Sequence, residues 1–503
     1  MKRIVYPAVL LMAGLAVSQA VFFCLVYRSN RLLHEGLAAM ETAGYLTVPN
    51  ADVMAGLTRI APAFNGALFF TFTTGAGLCI TAMAAAWVYK RIFNCTRWFV
   101  LFLTTAWAAS LYGVNAGGFS LAATASVVVI PPFAFIASIF TMPGEVPPQG
   151  RLATALQIAT ILLIALVWFP RTDREVFIEI RDNLLLTSSA GSAVNDFYYK
   201  YTLYPAKLFK PPGQRLMVPA CTGNIKNRNL QYQIKAELAA LDYLPVDRDE
   251  ACDLFVTTEN GRLFLSGRSS GFFKTTLPDF FKSPRSVLEN FSQKADNQAG
   301  LRMITFFSIF AAFPLTLFIL VHGFFAFLLF MIPPLYLRHW AASALCLVIG
   351  IGTALPLYFS PDPAMISPTE IQGRLSSDNW RDQRSALKAI AKDSMDPLNF
   401  DIGERILFSP HVPVRYWYAS ALGSSRNKAA ADTLRRMIDD PHPNVACAAY
   451  SGLGRSGAKK YIGDIKTRII LSDHWYVQWY AYKALRQLGW TQKPSGTTRA
   501  LLQ

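Results

Sequence analysis

Three groups of residues in this chain have types and spacings that could support chemistry. Gly267-Arg268-Ser269-Ser270-Gly271 matches G-x-S-x-G and follows a run that reads as a strand, the setting of a nucleophile elbow. A serine in that role needs a histidine to take its proton, and residues 171–300 contain no histidine. The pattern therefore reads as a Gly/Ser-rich turn. Cys221 falls between an expected strand and an expected helix, where a helix N-terminus can lower a thiol pKa. A phosphate-transferring thiolate would want C-x5-R, but that position is Asn227 and Arg228 comes one residue late. Cys221 and Cys252 share one segment and are a candidate disulfide if it is extracytoplasmic, with a buried thiol as the alternative. His411, His442 and His474 recur at one turn of a repeated unit, with Asn379 in an earlier copy. Stacked units stand about 10 Å apart, whereas zinc-bound nitrogens lie about 2 Å from the metal, so these side chains read as turn or capping groups. The sequence has no Walker loop and no HExxH. No catalytic residue, cofactor or metal ligand is assigned from these signals.

The elements that carry these residues are set by hydrophobicity. Of 503 residues, 52% are hydrophobic and only 16% charged, against about 25% charge in a soluble globular protein. The apolar residues are gathered in charge-free blocks of about 20, the length that crosses a bilayer. A soluble enzyme, a disordered tail protein and a small disulfide-stapled domain are excluded. Met1-Lys2-Arg3 precedes an apolar run from Ile4 to Tyr27, which reads as an uncleaved signal anchor because it continues past Ser18-Gln19-Ala20. Further spans are expected at Pro62–Tyr89, Trp98–Val114, Phe119–Met142, Leu152–Phe169 and Ala341–Phe359. Met303 to Leu337 contains no Asp, Glu, Lys or Arg. A straight helix of that run would measure about 52 Å against a hydrocarbon core of about 30 Å, so a break is expected at His322-Gly323 or Pro333-Pro334. The count is about eight spans, or seven if half of the long run is re-entrant.

The net charge is +16, and much of the excess borders the apolar spans, where Lys and Arg meet lipid headgroups. A nucleic-acid partner is not expected, since its binder would gather basic residues on one stripe. The positive-inside count is nearly balanced, so the signal-like first helix sets the N-terminus inside. Eight spans then leave residues 171–300 outside and the tail inside, whereas seven would export the tail. Polar residues within the spans are few: Gln19, Asn65, Gln157 and His322. Proton and ion carriers usually hold intramembrane charge, so that class is disfavoured. Small residues recur in Gly75-Ala76-Gly77, Ala84-Ala85-Ala86 and Ala108-Ala109-Ser110 and let helices approach closely.

Residues 171–300 have ordinary soluble composition. A strand is expected at Leu216–Pro219, a helix from Leu230 to Leu241, and a hairpin at Asp253–Leu265 around Asn260-Gly261. Ahead of them, Phe197-Tyr198-Tyr199-Lys200-Tyr201 and Tyr204 read as interfacial anchors. From about Ser367 a pattern recurs every ~31–32 residues: Val414 to Gly423 corresponds to Val445 to Gly454 and to Val477 onward, with a weaker copy from Asp382 to Ile390. Each copy ends a pair of amphipathic helices, and such pairs stack into a solenoid.

The V-R-x-x-x-A-x-A-L pattern at Val414-Arg415, Ala419 and Ala421-Leu422 resembles HEAT repeats, of the short variety also found in bilin-lyase-type proteins. That resemblance covers about a quarter of the chain and implies a concave protein-binding surface. The family's arginine stands only at Arg415, with Ala446 and Gln478 in the later copies, so a shared inter-repeat ladder is not expected. Helical spacing buries Val414, Tyr418 and Leu422 and turns Tyr416 outward with Trp417 on the edge. Trp479 and Tyr480 match them, and these four are the candidate partner-binding residues.

The fold class expected is mainly α: transmembrane helices in 1–170 and 301–359, a small α/β insert in 171–300, and HEAT-like repeats in 367–490. The expected setting is the inner membrane of a bacterium, with the lipid bilayer and an unidentified protein as partners. A membrane scaffold is the leading reading. The alternatives are a transporter or lipid-handling protein with a cavity near Asn65, Gln157 and His322, and a sensor whose middle domain binds a ligand.

Overall fold

Long charge-free runs have no alternative to internal hydrogen bonding, and each of them forms helix. The computed structural model describes residues 2–142, 151–168, 176–201, 210–268, 271–331, 335–358, 366–400, 403–425 and 427–493. Among these, four helices are long and apolar enough to cross a membrane: Tyr6–Thr42, Ile60–Arg91, Leu121–Thr141 and Ala299–Met331. This corrects the expectation of about eight. One of the four fewer is the second half of the Met303 run, which stays helical straight through His322-Gly323 as part of one element ending at Met331; the other three are the segments expected at 98–114, 152–169 and 341–359, which are not among the four. Pro333-Pro334 lie outside the described residues. Helix Leu335–Tyr358, 24 residues, then takes up both the end of that run and the expected final span. The segments expected at 98–114 and 152–169 are helices Arg97–Val114 and Arg151–Trp168, of 18 residues each.

Small side chains set how the bundle packs. A Cβ on Gly75 would lie 2.6 Å from that of Ser18, and one on Gly77 would meet the Ser308 hydroxyl. Both glycines border π-helical turns, Thr71–Gly75 and Ser308–Ala312, beside which the hydroxyls of Thr74 and Thr305 share a 2.7 Å hydrogen bond. Gln19 is satisfied within the bundle: its amide donates to the Phe64 carbonyl at 2.8 Å and accepts from the Thr71 hydroxyl at 2.7 Å.

The water-compatible middle of the chain forms a five-stranded sheet of order β2-β1-β3-β4-β5, from β1 (Val218–Cys221), β2 (Tyr243–Pro245), β3 (Leu254–Glu259), β4 (Arg262–Gly267) and β5 (Phe272–Thr276). β1 runs parallel to β2 and β3, and the other pairs are antiparallel. Asn260 (φ 49°) and Gly261 (φ 73°) make the left-handed turn that their types favour. β1 lies two residues beyond its expected place, and the expected helix is Arg228–Ala240. The sequence pattern missed β2, which has three residues, and β5, whose side chains are never fully buried. The Gly267–Gly271 turn joins β4 to β5; Ser269 and Ser270 lie outside the described residues. Gly271 has φ 86°, and a Cβ there would sit 2.5 Å from the Ala295 backbone, so this turn requires glycine for packing.

The tail is four helix pairs: Pro368–Ser376 with Trp380–Lys392, Gly403–Leu407 with Val412–Ser424, Ala430–Met437 with Pro443–Ser456, and Ile462–Leu471 with Trp475–Gln487. The second helices of the pairs stack on one another. They approach closely at Gly423, where a Cβ would stand 2.5 Å from the Gly452 Cα. Val414, Tyr418 and Leu422 are buried, as helical spacing requires. Asn379, His442 and His474 cap the second helices of three pairs, each side chain accepting a backbone N–H two residues on; His411 stands at the N-cap of the remaining one without such a bond. The inter-repeat ion pairs do not follow the arginine of the pattern. Arg415 grips Asp440 at 2.7 Å, but later steps use Arg435 with Asp464 and Arg468 with Asp439.

Candidate functional site

The concave face of a helical solenoid is its natural binding surface, and here it holds part of the same chain. Residues 176–185 form a helix that turns π-helical over Arg181–Leu185, followed by helix Ser189–Tyr201. These two make a hairpin that leaves the apolar bundle, where Phe177 packs on Phe310 and Tyr198 on Phe69. The hairpin then lies against the second helix of every repeat. The segment expected as one insert, 171–300, thus divides between this hairpin and the sheet domain.

Polar groups bind the hairpin to the first two repeats. Glu179 meets Lys388 at 2.8 Å and Arg384 at 3.5 Å, and Arg384 also donates to the Asn183 amide oxygen at 2.9 Å. Burial alone would raise the Glu179 carboxyl, but Arg384 and Lys388 outweigh it and hold it below its ordinary value. Asp182 is fully buried. It pairs with Arg181 at 2.7 Å and accepts from the Trp417 indole at 2.8 Å. The Arg181 guanidinium lies 3.8 Å from the centre of the Tyr416 ring, a cation–π contact. Burial opposes the charge on Arg181, and Asp182 with the Tyr416 and Tyr199 oxygens more than restores it.

The second helix of the hairpin docks on the last two repeats. Asn195 donates to the Asn444 amide oxygen at 3.1 Å, and the Trp475 indole donates to the Tyr199 carbonyl at 3.0 Å. The Tyr199 and Tyr476 rings lie 4.7 Å apart. Trp479 stacks on Tyr476 and carries Lys483 at 3.7 Å and Lys210 at 5.4 Å, while Tyr480 shares a 3.4 Å hydroxyl contact with Tyr476. Tyr416, Trp417, Trp479 and Tyr480 are consequently half-buried and not open to solvent. Tyr416 and Trp417 touch the hairpin directly, and Trp479 and Tyr480 flank Tyr476, which does.

The first helix and the sheet domain close on the same tail. Gln492 accepts from the Leu46 N–H at 3.2 Å and donates to its carbonyl at 2.7 Å, and Gln478 accepts from the Asn50 N–H at 3.0 Å. Gln478, at the position where the repeat pattern has arginine, is thus turned to the 43–50 loop. Asp242, beside β2, accepts from the Tyr482 hydroxyl at 2.5 Å and pairs with Arg486 at 3.0 Å. One apolar core runs from Leu37, Met40 and Tyr45 through Leu244 and Val246 into the solenoid. The sheet domain and the tail are therefore in direct contact, an arrangement that fits the seven-span alternative and not the eight-span one. Cys221 and Cys252 stand with Cα atoms 5.8 Å apart and their sulfurs joined.

Two cavities lie between the hairpin and the repeats, of about 190 and 430 Å³. Neither is lined by Asn65 or His322, near which a cavity would favour the transporter reading; Asn65 is half-buried and His322 stacks on His339 at 5.5 Å. The Gln157 side chain lies outside the described residues. The contacts from Glu179, Asp182 and Asn183 were missed in the sequence. Their signal was present as acids at 179 and 182 on one helix face, matched by cations at 384 and 388 on another. No curated protein and no solved structure matches the chain. Residues 401–486 match the family of HEAT repeats.

Proposed function

We propose that this is a membrane-embedded interaction protein, whose HEAT solenoid holds the hairpin of its own bundle and recruits a protein partner at the membrane surface. The observation that carries the reading is the occupied concave face: a HEAT surface with Trp417, Tyr416 and Trp475 gripping a helical segment is a surface built for polypeptide. Partner recruitment through the same face proceeds by release of the hairpin.

Membrane embedding is supported by the four apolar helices and by side chains such as Phe102, Phe140, Leu166 and Val348, which point out of the bundle. Because the 43–50 loop, the hairpin, the sheet domain and the tail touch one another, an even number of crossings separates each from the next. Counting the shorter helices Arg97–Val114, Arg151–Trp168 and Leu335–Tyr358 as crossings beside the four long ones gives the seven-span alternative, with four crossings between the 43–50 loop and the hairpin and two between the sheet domain and the tail. At one end Lys90 donates to the Ile139 and Met142 carbonyls, and at the other Ser120 donates to Gln298. Lys90, Arg91, Arg97, Arg151 and Arg338 fall at the first end and Arg28, Arg31, Arg59 and Arg302 toward the other, so the near-even count leaves the signal-like first helix to favour a cytoplasmic first end. All the water-facing parts then lie outside, where a Cys221–Cys252 bridge is stable. The setting we propose is a bacterial inner membrane.

The test is a photo-crosslinking residue placed at Tyr416 or Trp479 of the full-length protein in membranes. Adducts to the chain's own 176–201 segment are expected, together with an intermolecular adduct that increases in Asp182→Asn. If no intermolecular adduct forms in either background, the partner reading is abandoned.

A further inference from the structure

The smaller cavity, about 190 Å³, is closed on one side by Arg181 and Tyr199 of the hairpin and on the other by Tyr416, Tyr480, Asn444 and Arg455 of the solenoid. We propose that it is a binding site for a small oxyanion, a carboxylate or phosphate. Its lining residues include two guanidinium groups and no Asp or Glu. Arg181 is at the buried end, where Asp182 neutralises it from outside the lining. Arg455 stands exposed at the mouth. Its donors go to the Gly423 carbonyl at 2.9 Å and the Ser451 hydroxyl at 2.8 Å, and among the described residues it has no carboxylate partner. Four tyrosines, 199, 416, 476 and 480, line the wall between the two. Phenol O–H groups and guanidinium N–H groups are donors; the Tyr476 hydroxyl is directed to Tyr480, which leaves Tyr199, Tyr416 and Tyr480 with the two arginines to face an acceptor-rich guest. A neutral or cationic guest would leave Arg455 unanswered.

The π-helical turn at Arg181–Leu185 belongs to the same feature, since the wider turn is what seats consecutive residues Arg181, Asp182 and Asn183 all in buried positions. The volume suits a molecule of roughly benzene size or slightly larger. Because the two walls come from the bundle's hairpin and from the repeats, a bound oxyanion bridges them and tightens the grip. The site exists within a single chain and does not depend on a protein partner.

Calorimetric titration of the full-length protein in detergent tests this, with inorganic phosphate, acetate and benzoate as the anionic probes and benzamide as the neutral one. Saturable binding of at least one anion, absent for benzamide, is expected. Arg455→Gln should weaken it by about tenfold or more, the effect of losing a charge-assisted bond, and Tyr480→Phe should weaken it less. An unchanged thermal midpoint of both variants without anion establishes that they fold. Absence of binding by every anion, equal binding of benzamide, or full binding by folded Arg455→Gln each overturns the proposal. A phosphate-only or a carboxylate-only response fixes which oxyanion the site takes.

Discussion

The indole nitrogen of Trp417 donates to the carboxylate of Asp182 at 2.8 Å, joining residues 235 positions apart in the chain. Asp182 is also the counter-ion of Arg181, so one buried carboxylate serves both sides of the docked hairpin. Asp182→Ala leaves the Arg181 charge buried and unpaired, a loss of about 3–5 kcal/mol in such settings. Trp417→Phe removes only the bond to the charged acceptor, about 1.5–3 kcal/mol. Hydrogen exchange in residues 176–201 should accelerate in both, more in the first. Protection unchanged in Asp182→Ala would show that the hairpin is held by other contacts.

Acid should loosen the hairpin. The folded Glu179 carboxyl lies below its ordinary 4.5, so its pairing with Lys388 and Arg384 stabilises fully above that value and is lost as pH falls through the folded one. Glu179→Gln should lower the thermal midpoint at pH 7 and flatten its decline below about pH 4.5. A decline as steep as in the parent would remove Glu179 from this role.

The capping histidines add an earlier step. Burial holds His442 and His474 below their ordinary 6.5 despite nearby acids, and each uses a neutral Nδ1 as acceptor for a backbone N–H. Protons then bind the unfolded state first, so stability is lost as pH falls from about 6.5. His442→Asn preserves the capping acceptor and should reduce that slope, read by denaturation at pH 7.5 and 5.5. An identical slope counts against the cap as its origin.

Close stacking of the repeats predicts a contrast between glycines. Gly423→Ala drives a methyl group into the Gly452 backbone and should cost about 1–3 kcal/mol, as overpacking does. Gly463→Ala meets nothing within 4 Å in an exposed helix and should be neutral or stabilising by up to about 1 kcal/mol. Calorimetric midpoints of the two variants decide it. Equal midpoints would mean that the second helices stack less closely.

Topology reporters after residues 45, 230 and 480 should all report the extracytoplasmic side. A split between 230 and 480 contradicts the crossing parity argued above. Cys221 and Cys252 should resist thiol labelling in sealed membranes until a reductant is added.

Local periodicity made much of this fold legible. The Val414, Val445 and Val477 register, the buried Tyr418 and Leu422, and the Asn260-Gly261 turn all follow from spacing and backbone preference. Span counting overshot partly because composition alone cannot register that a helix ends at Met331 and not at Gly323, and partly because 98–114, 152–169 and 341–359 form helices outside the four long apolar ones. The four aromatics of the solenoid stood out by type and repeat position, and two of them, Tyr416 and Trp417, touch the hairpin. Their occupant did not stand out, because pairing Trp417 with Asp182 or Arg384 with Asn183 depends on contacts some 200 residues apart, for which a single sequence has no periodic signal.

The glutamines that fill the 43–50 loop come from the far end of the chain, with Gln492 lying 446 residues beyond Leu46 and Gln478 lying 428 beyond Asn50. Ribosomal synthesis delivers them that many residues after their partners in the loop. Until they arrive, the Leu46 and Asn50 N–H groups lack these acceptors, and the solenoid's share of the cover over Tyr45 and Val48 is missing. A chain cut short before the fourth repeat thus leaves an open seam along the 43–50 loop, one that only the last helix pair and the segment after it can shut.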